Sequence, residues 1–105
     1  MNQATMDRRQ GARLGTDIPL VTYRDGVAFH CRAVDLSSGG ALVYNPTRRE
    51  PPLLQRIELT LNRSTTISAL ARTIWSSGRW IALRFVGLDD VDRLDIAEHL
   101  DARPQ

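Results

Sequence analysis

The chain contains no lysine: all 14 of its basic residues are arginine, set against 12 acidic residues for a net charge of +2. Every cation is therefore a planar fork able to grip a phosphate or a guanine edge bidentately. A surplus of two is nevertheless too small for non-specific duplex-DNA binding, which needs a strongly basic face. Cysteine is nearly absent. Cys31 alone excludes an intramolecular disulfide and any metal site built on a cysteine pair. No stretch approaches the roughly 18 apolar residues of a spanning helix. Residues 1–10 are polar, unlike a signal peptide or an anchor. These absences predict a cytoplasmic protein with no membrane insertion. Aromatic residues are only 6% of the 105, and Phe29, Trp75, Trp80 and Phe85 fall on different segments. Packing in a core accounts for them better than a base-stacking platform of the kind small nucleic-acid-binding barrels use.

Enzyme signatures are missing too. There is no glycine-rich phosphate loop ahead of a helix and no His-Glu-x-x-His. His30 and Cys31 are strand neighbours facing opposite sides, so with His99 they make no zinc site. Ser37 lies near Asp35, but no base stands ready to activate it. The reading is of a non-enzyme that needs no cofactor or metal.

What is present is one domain of alternating strands. Residues 1–16, with Arg8, Arg9 and Arg13, read as a mobile arm, and residues 17–101 as the folded domain. Ile18 to Arg24 and Val27 to Val34 flank Asp25-Gly26, a strong hairpin signal. Val27, Phe29, Cys31 and Ala33 share one face of the second strand. Asp35 to Gly40 is a turn and Ala41 to Tyr44 a short strand. Arg56 to Leu61 points Ile57, Leu59 and Leu61 inward; Thr66 to Trp75 follows, then a turn at Ser76-Ser77-Gly78. Arg79 to Val86 points Ile81, Leu83 and Phe85 inward. Six strands with short links predict a small antiparallel β-barrel. Asp89 is placed to cap a final helix, whose Val91, Leu94, Ala97 and Leu100 fall on one apolar stripe. Residues 102–105 read as a frayed tail.

Two short patterns carry chemistry. Arg9-Gln-Gly-Ala-Arg13 sets two arginines four apart directly after Arg8, and Asp35-Leu-Ser37-Ser-Gly-Gly40 follows the second strand. Each alone has a plain explanation, a solvated terminus and an Asp/Ser turn. In this order on this scaffold, the chain resembles the PilZ domain family of cyclic di-GMP receptors. That family carries Arg-x-x-x-Arg in a flexible N-terminal segment and Asp/Asn-x-Ser-x-x-Gly after its second strand. The resemblance spans roughly residues 8–101 and includes Arg72-Thr-Ile-Trp75 and Ile81-Ala-Leu-Arg-Phe85. It departs from the family at Ala82, where glycine is frequent.

The resemblance implies a six-stranded barrel with a C-terminal helix and a ligand-binding set of Arg8, Arg9, Arg13, Asp35, Ser37 and Gly40. The ligand chemistry is compatible. Arginine forks match guanine O6 and N7 and can stack on the base, Asp35 can accept from the opposite N–H edge, and Gly40 permits close approach or a positive φ. In the family, an arginine at the position of Arg8 accompanies two intercalated cyclic di-GMP molecules rather than one. The implied output is a rearrangement passed to a separate downstream protein, in motility, biofilm or exopolysaccharide control. A nucleotide-independent PilZ adaptor is the alternative.

Overall fold

A computed structural model describes residues 14–47 and 49–102. Six strands form one closed antiparallel barrel: β1 (Leu14–Arg24), β2 (Val27–Leu36), β3 (Gly40–Tyr44), β4 (Leu54–Asn62), β5 (Thr65–Ser77) and β6 (Trp80–Gly87), followed by α1 (Asp90–Ala102). Around the wall the order is β1-β2-β3-β6-β5-β4, closed by pairing of β1 with β4 from Leu20↔Leu59 to Tyr23↔Arg56. β1 begins at Leu14, ahead of Asp17 where the sequence pattern starts, and α1 runs through Ala102, the first residue assigned to the tail. Arg8, Arg9 and Arg13 lie outside the described residues.

Two turns set the β1–β2 and β5–β6 hairpins. Asp25 and Gly26 both have positive φ (52° and 81°), as a two-residue turn of mirror type requires. The second turn falls at Gly78-Arg79 rather than Ser76-Ser77-Gly78, because Gly78 (φ 61°) supplies the left-handed residue and Ser77 still pairs with Trp80. The interior is filled by alternate residues, among them Leu20, Val43, Ile57, Leu59, Ile67 and Ile81, each at most 2% exposed. Removal of such side chains from water drives closure, at ~25 cal/mol per Å² of apolar surface.

Two sequence expectations fail here. Trp75 and Trp80 are 49% and 41% exposed, so the core does not explain them; of the four aromatics considered, only Phe85 is buried. On α1, Val91 and Leu94 point to solvent at 68% and 57% exposure, while Ile96 and Leu100 are buried. At 100° per residue, Val91 and Leu94 sit about 140° and 160° round the helix from Ile96. The barrel-facing side is thus set by the Ile96–Leu100 pair, one turn apart. Asp89 does cap the helix: its Oδ1 accepts from the Asp92 amide at 3.1 Å.

Candidate functional site

The Asp35–Gly40 motif sits where β2 passes into β3. Strict alternation from Cys31 and Ala33 would drive Asp35 into the core. A bulge prevents this: Ala33 pairs with Val43 but Asp35 with Leu42, so one extra residue of β2 is absorbed around Val34 and the phase reverses. Leu36 then fills the interior and Asp35 stands half-buried on the outer side. β1 carries its own irregularity between Gly15 and Ile18, against the same stretch of β2.

The turn itself is braced from within. The Ser37 amide donates to the Gly40 carbonyl at 2.9 Å, and the Ser37 hydroxyl accepts from the Gly39 amide at 3.2 Å. The same Oγ donates to the Gly40 carbonyl oxygen only at 3.5 Å, a weak bond that is easily exchanged for a better acceptor. Gly40 is required for a reason the sequence did not show. Its φ is not positive; a Cβ there would overlap the Leu83 carbonyl oxygen on β6, so glycine allows β3 and β6 to meet. From the helix side, Arg93 donates to the Ser38 carbonyl at 3.0 Å, tying α1 to the turn.

Strand register aligns further side chains with the motif, since outward residues of neighbouring strands lie side by side. One row across β2, β3, β6 and β5 reads Asp35, Leu42, Ala82, Trp75; the next reads Gly40, Arg84, Arg72; the one on the other flank reads Arg32, Tyr44, Trp80, Ser77. Ser37, Gly40, Leu42, Trp75 and Ala82 line one open depression of about 240 Å³. Tyr44 and Trp80 meet edge to face at 5.2 Å between centroids. Arg32 pairs with Asp17 and also donates to its backbone carbonyl at 3.1 Å. Arg72 and Arg84 are both exposed and directly opposite, and no carboxylate of the described residues pairs with either. Like charges in that relation are destabilising.

Asp35, Ser37 and Gly40 thus share the β2–β3 turn, with Ser37 and Gly40 lining the depression. β1 enters the barrel alongside, with Leu14 paired to Leu36 and Gly15 to Asp35. Sequence reasoning missed Arg72, Trp75 and Arg84 as members of this face. The bulge between Thr73 and Trp75, which aligns Trp75 with Ala82, has no obvious sequence mark.

No curated protein matches the sequence. Among solved structures, the PilZ domain of CeSA from a cellulose-synthesizing bacterium superposes with a TM-score of 0.64 at 20% identity, over 85% of this chain and 94% of that one. The Bacillus subtilis inhibitor of motility (MotI/DgrA) superposes with a TM-score of 0.69 at 16% identity, over 91% of this chain but 53% of that one. At such identities the likeness is one of fold. The sequence itself matches the PilZ domain family over residues 7–102, nearly its whole length, and the chain belongs to that family.

Proposed function

We propose that this PilZ domain is a cyclic di-GMP receptor whose binding face is the outer wall of β2, β3, β6 and β5 at the Asp35–Gly40 turn. The observation that carries the reading is the Arg72–Arg84 couple, which no carboxylate among the described residues pairs, placed in register beside Gly40 on the same wall as Asp35 and Trp75. The ligand brings two phosphate charges and two guanines. Arg72 and Arg84 answer the phosphates with bidentate, charge-assisted bonds. Trp75 offers a half-exposed ring for stacking. Asp35 accepts from a guanine N–H edge, and the Ser37 hydroxyl exchanges its long internal bond for a ligand oxygen. Arg9 and Arg13 close over the ligand from the N-terminal side, and Arg8 holds a second, intercalated molecule. The output is a changed surface read by a separate protein, without catalysis.

Isothermal titration of cyclic di-GMP into the protein and into the Arg9→Ala/Arg13→Ala variant tests this. Each charge-assisted bond contributes about 1.5–3 kcal/mol, so the double variant should bind at least roughly 100-fold more weakly. Two ligands per chain are expected, falling to one on Arg8→Ala. Absence of binding by the wild type would leave the adaptor reading in its place.

A further inference from the structure

The outward side of α1 carries apolar and acidic side chains and no arginine. Val91 and Leu94 are exposed there, opposite the buried Ile96. Glu98, Asp101 and Asp90 share that side, about 160°, 140° and 120° round the helix from Ile96. Arg93, the only arginine of the helix, lies about 60° from Ile96, on the barrel side. Its guanidinium is committed to the Ser38 carbonyl at 3.0 Å. Residues 89–101 hold half of the 12 acidic residues of the chain.

The outer wall of β3, β6 and β5 has the opposite charge and is also partly apolar. No aspartate or glutamate occurs in any of these three strands. Arg72 and Arg84 stand opposite each other, and Arg56 on β4 is the diagonal neighbour of Arg72, through the pairs Leu54↔Arg72 and Arg56↔Leu70. Ile74 is the extra residue of the bulge between Thr73 and Trp75. Ile74 and Trp75 are therefore consecutive and half-exposed, with the half-exposed Leu54 on the neighbouring strand. Carboxylates border this wall. Asp35 stands at its β2 edge, Glu58 on β4 accepts from the Tyr23 hydroxyl at 3.0 Å, and Glu50 accepts from the Ser76 hydroxyl at 3.3 Å near the β5–β6 turn.

We propose that α1 of one copy docks on this wall of a second copy, in a head-to-tail contact. Val91 and Leu94 lie against Trp75, Ile74 and Leu54, while Glu98 and Asp101 face Arg72 and Arg84. Exposed apolar side chains rimmed by charge mark contact surfaces, and each copy of this chain carries both halves of one. The outward side of α1 is turned away from its own barrel, so the contact is between molecules. Symmetric contacts are opposed by charge: wall on wall sets arginine against arginine, and helix on helix sets carboxylate against carboxylate. Only the heterologous arrangement of these two faces pairs opposite signs, and it closes into a ring or grows into a chain. A helix of 13 residues is about 20 Å long, which makes the interface small and the association weak. The proposal uses the charge of the wall and is independent of nucleotide binding; a nucleotide on the same wall competes with the second copy.

Analytical ultracentrifugation of the full chain without nucleotide, at up to about 1 mM protein and low salt, tests it. The average mass should rise with concentration and return to that of one chain in about 1 M salt, where the screening length is ~3 Å. Arg72→Glu/Arg84→Glu and Val91→Ser/Leu94→Ser should each raise the concentration needed for association at least roughly tenfold. All four side chains are exposed, so neither pair of substitutions removes core packing. An equimolar mixture of the two variants holds one intact helix face and one intact wall, and should form a species of two chains and no larger. Three outcomes overturn the proposal: a wild type with the mass of one chain at every concentration; wild-type association that either variant retains; or no two-chain species from a mixture of variants that melt as the wild type does. Titration with cyclic di-GMP is a separate measurement, and its failure leaves this result unchanged.

Discussion

A methyl group on Gly40 would meet the Leu83 carbonyl, whereas one on Gly39 would meet only the Ser37 hydroxyl oxygen, at 3.9 Å. Two adjacent glycines of one turn thus have opposite tolerances. Gly40→Ala should cost at least about 2 kcal/mol in urea unfolding, because β3 and β6 must part, while Gly39→Ala should stay within about 0.5 kcal/mol. Cys31 is the other residue with a measurable signature. Burial pushes its thiol above the usual 9.0, against a smaller opposing effect of the Arg24 charge. The unfolded chain then loses the thiol proton first. The contribution to stability is therefore fully present below pH 9 and is lost as pH rises beyond it. Denaturation midpoints measured on either side of that value should fall with pH, and Cys31→Ala should flatten the decline.

At the scale of elements, α1 presents the sharpest test of which face is inward. Ile96→Ala should destabilise by about 2–5 kcal/mol and Leu94→Ala by less than about 0.5 kcal/mol, compared by thermal melting. The reverse order would mean that the helix is seated on its other side. The strands were readable because their signals are local: Asp25-Gly26 can adopt positive φ at both positions, and Ile57-Glu-Leu59-Thr-Leu61 has the period of a half-buried strand. The helix face was not, since two apolar stripes compete on one short segment and only contact with the barrel decides between them. Asp35 and Ser37 were legible as a motif. The company they keep was not, because bulges around Val34 and between Thr73 and Trp75 set the alignment of the outer wall, and an extra residue in a strand leaves no compositional trace.

For the molecule as a whole, the receptor reading proposed above makes the Arg72–Arg84 couple a trade between binding and stability. Arg72→Ala or Arg84→Ala should weaken cyclic di-GMP binding by roughly 10-fold while leaving the melting temperature of the free protein unchanged or raised, as relief of a like-charge pair requires. A fall in both would mark the arginines as structural. Ligand at 100 times its dissociation constant should stabilise the wild type by about 2.7 kcal/mol, several degrees for a domain of this size.

Closure of the wall has one more consequence. In an open sheet, a strand can slide by two residues and keep its inward and outward faces. Here every strand has a partner on both sides, so a slip at one seam must be repeated at all the others until the ring is again consistent. The wall therefore behaves as a rigid frame that cannot carry a graded message along its strands. On the receptor reading proposed above, a signal from the Asp35–Gly40 turn would leave through parts that hang on the rim, and α1, held to the turn by the Arg93–Ser38 link, is one of them.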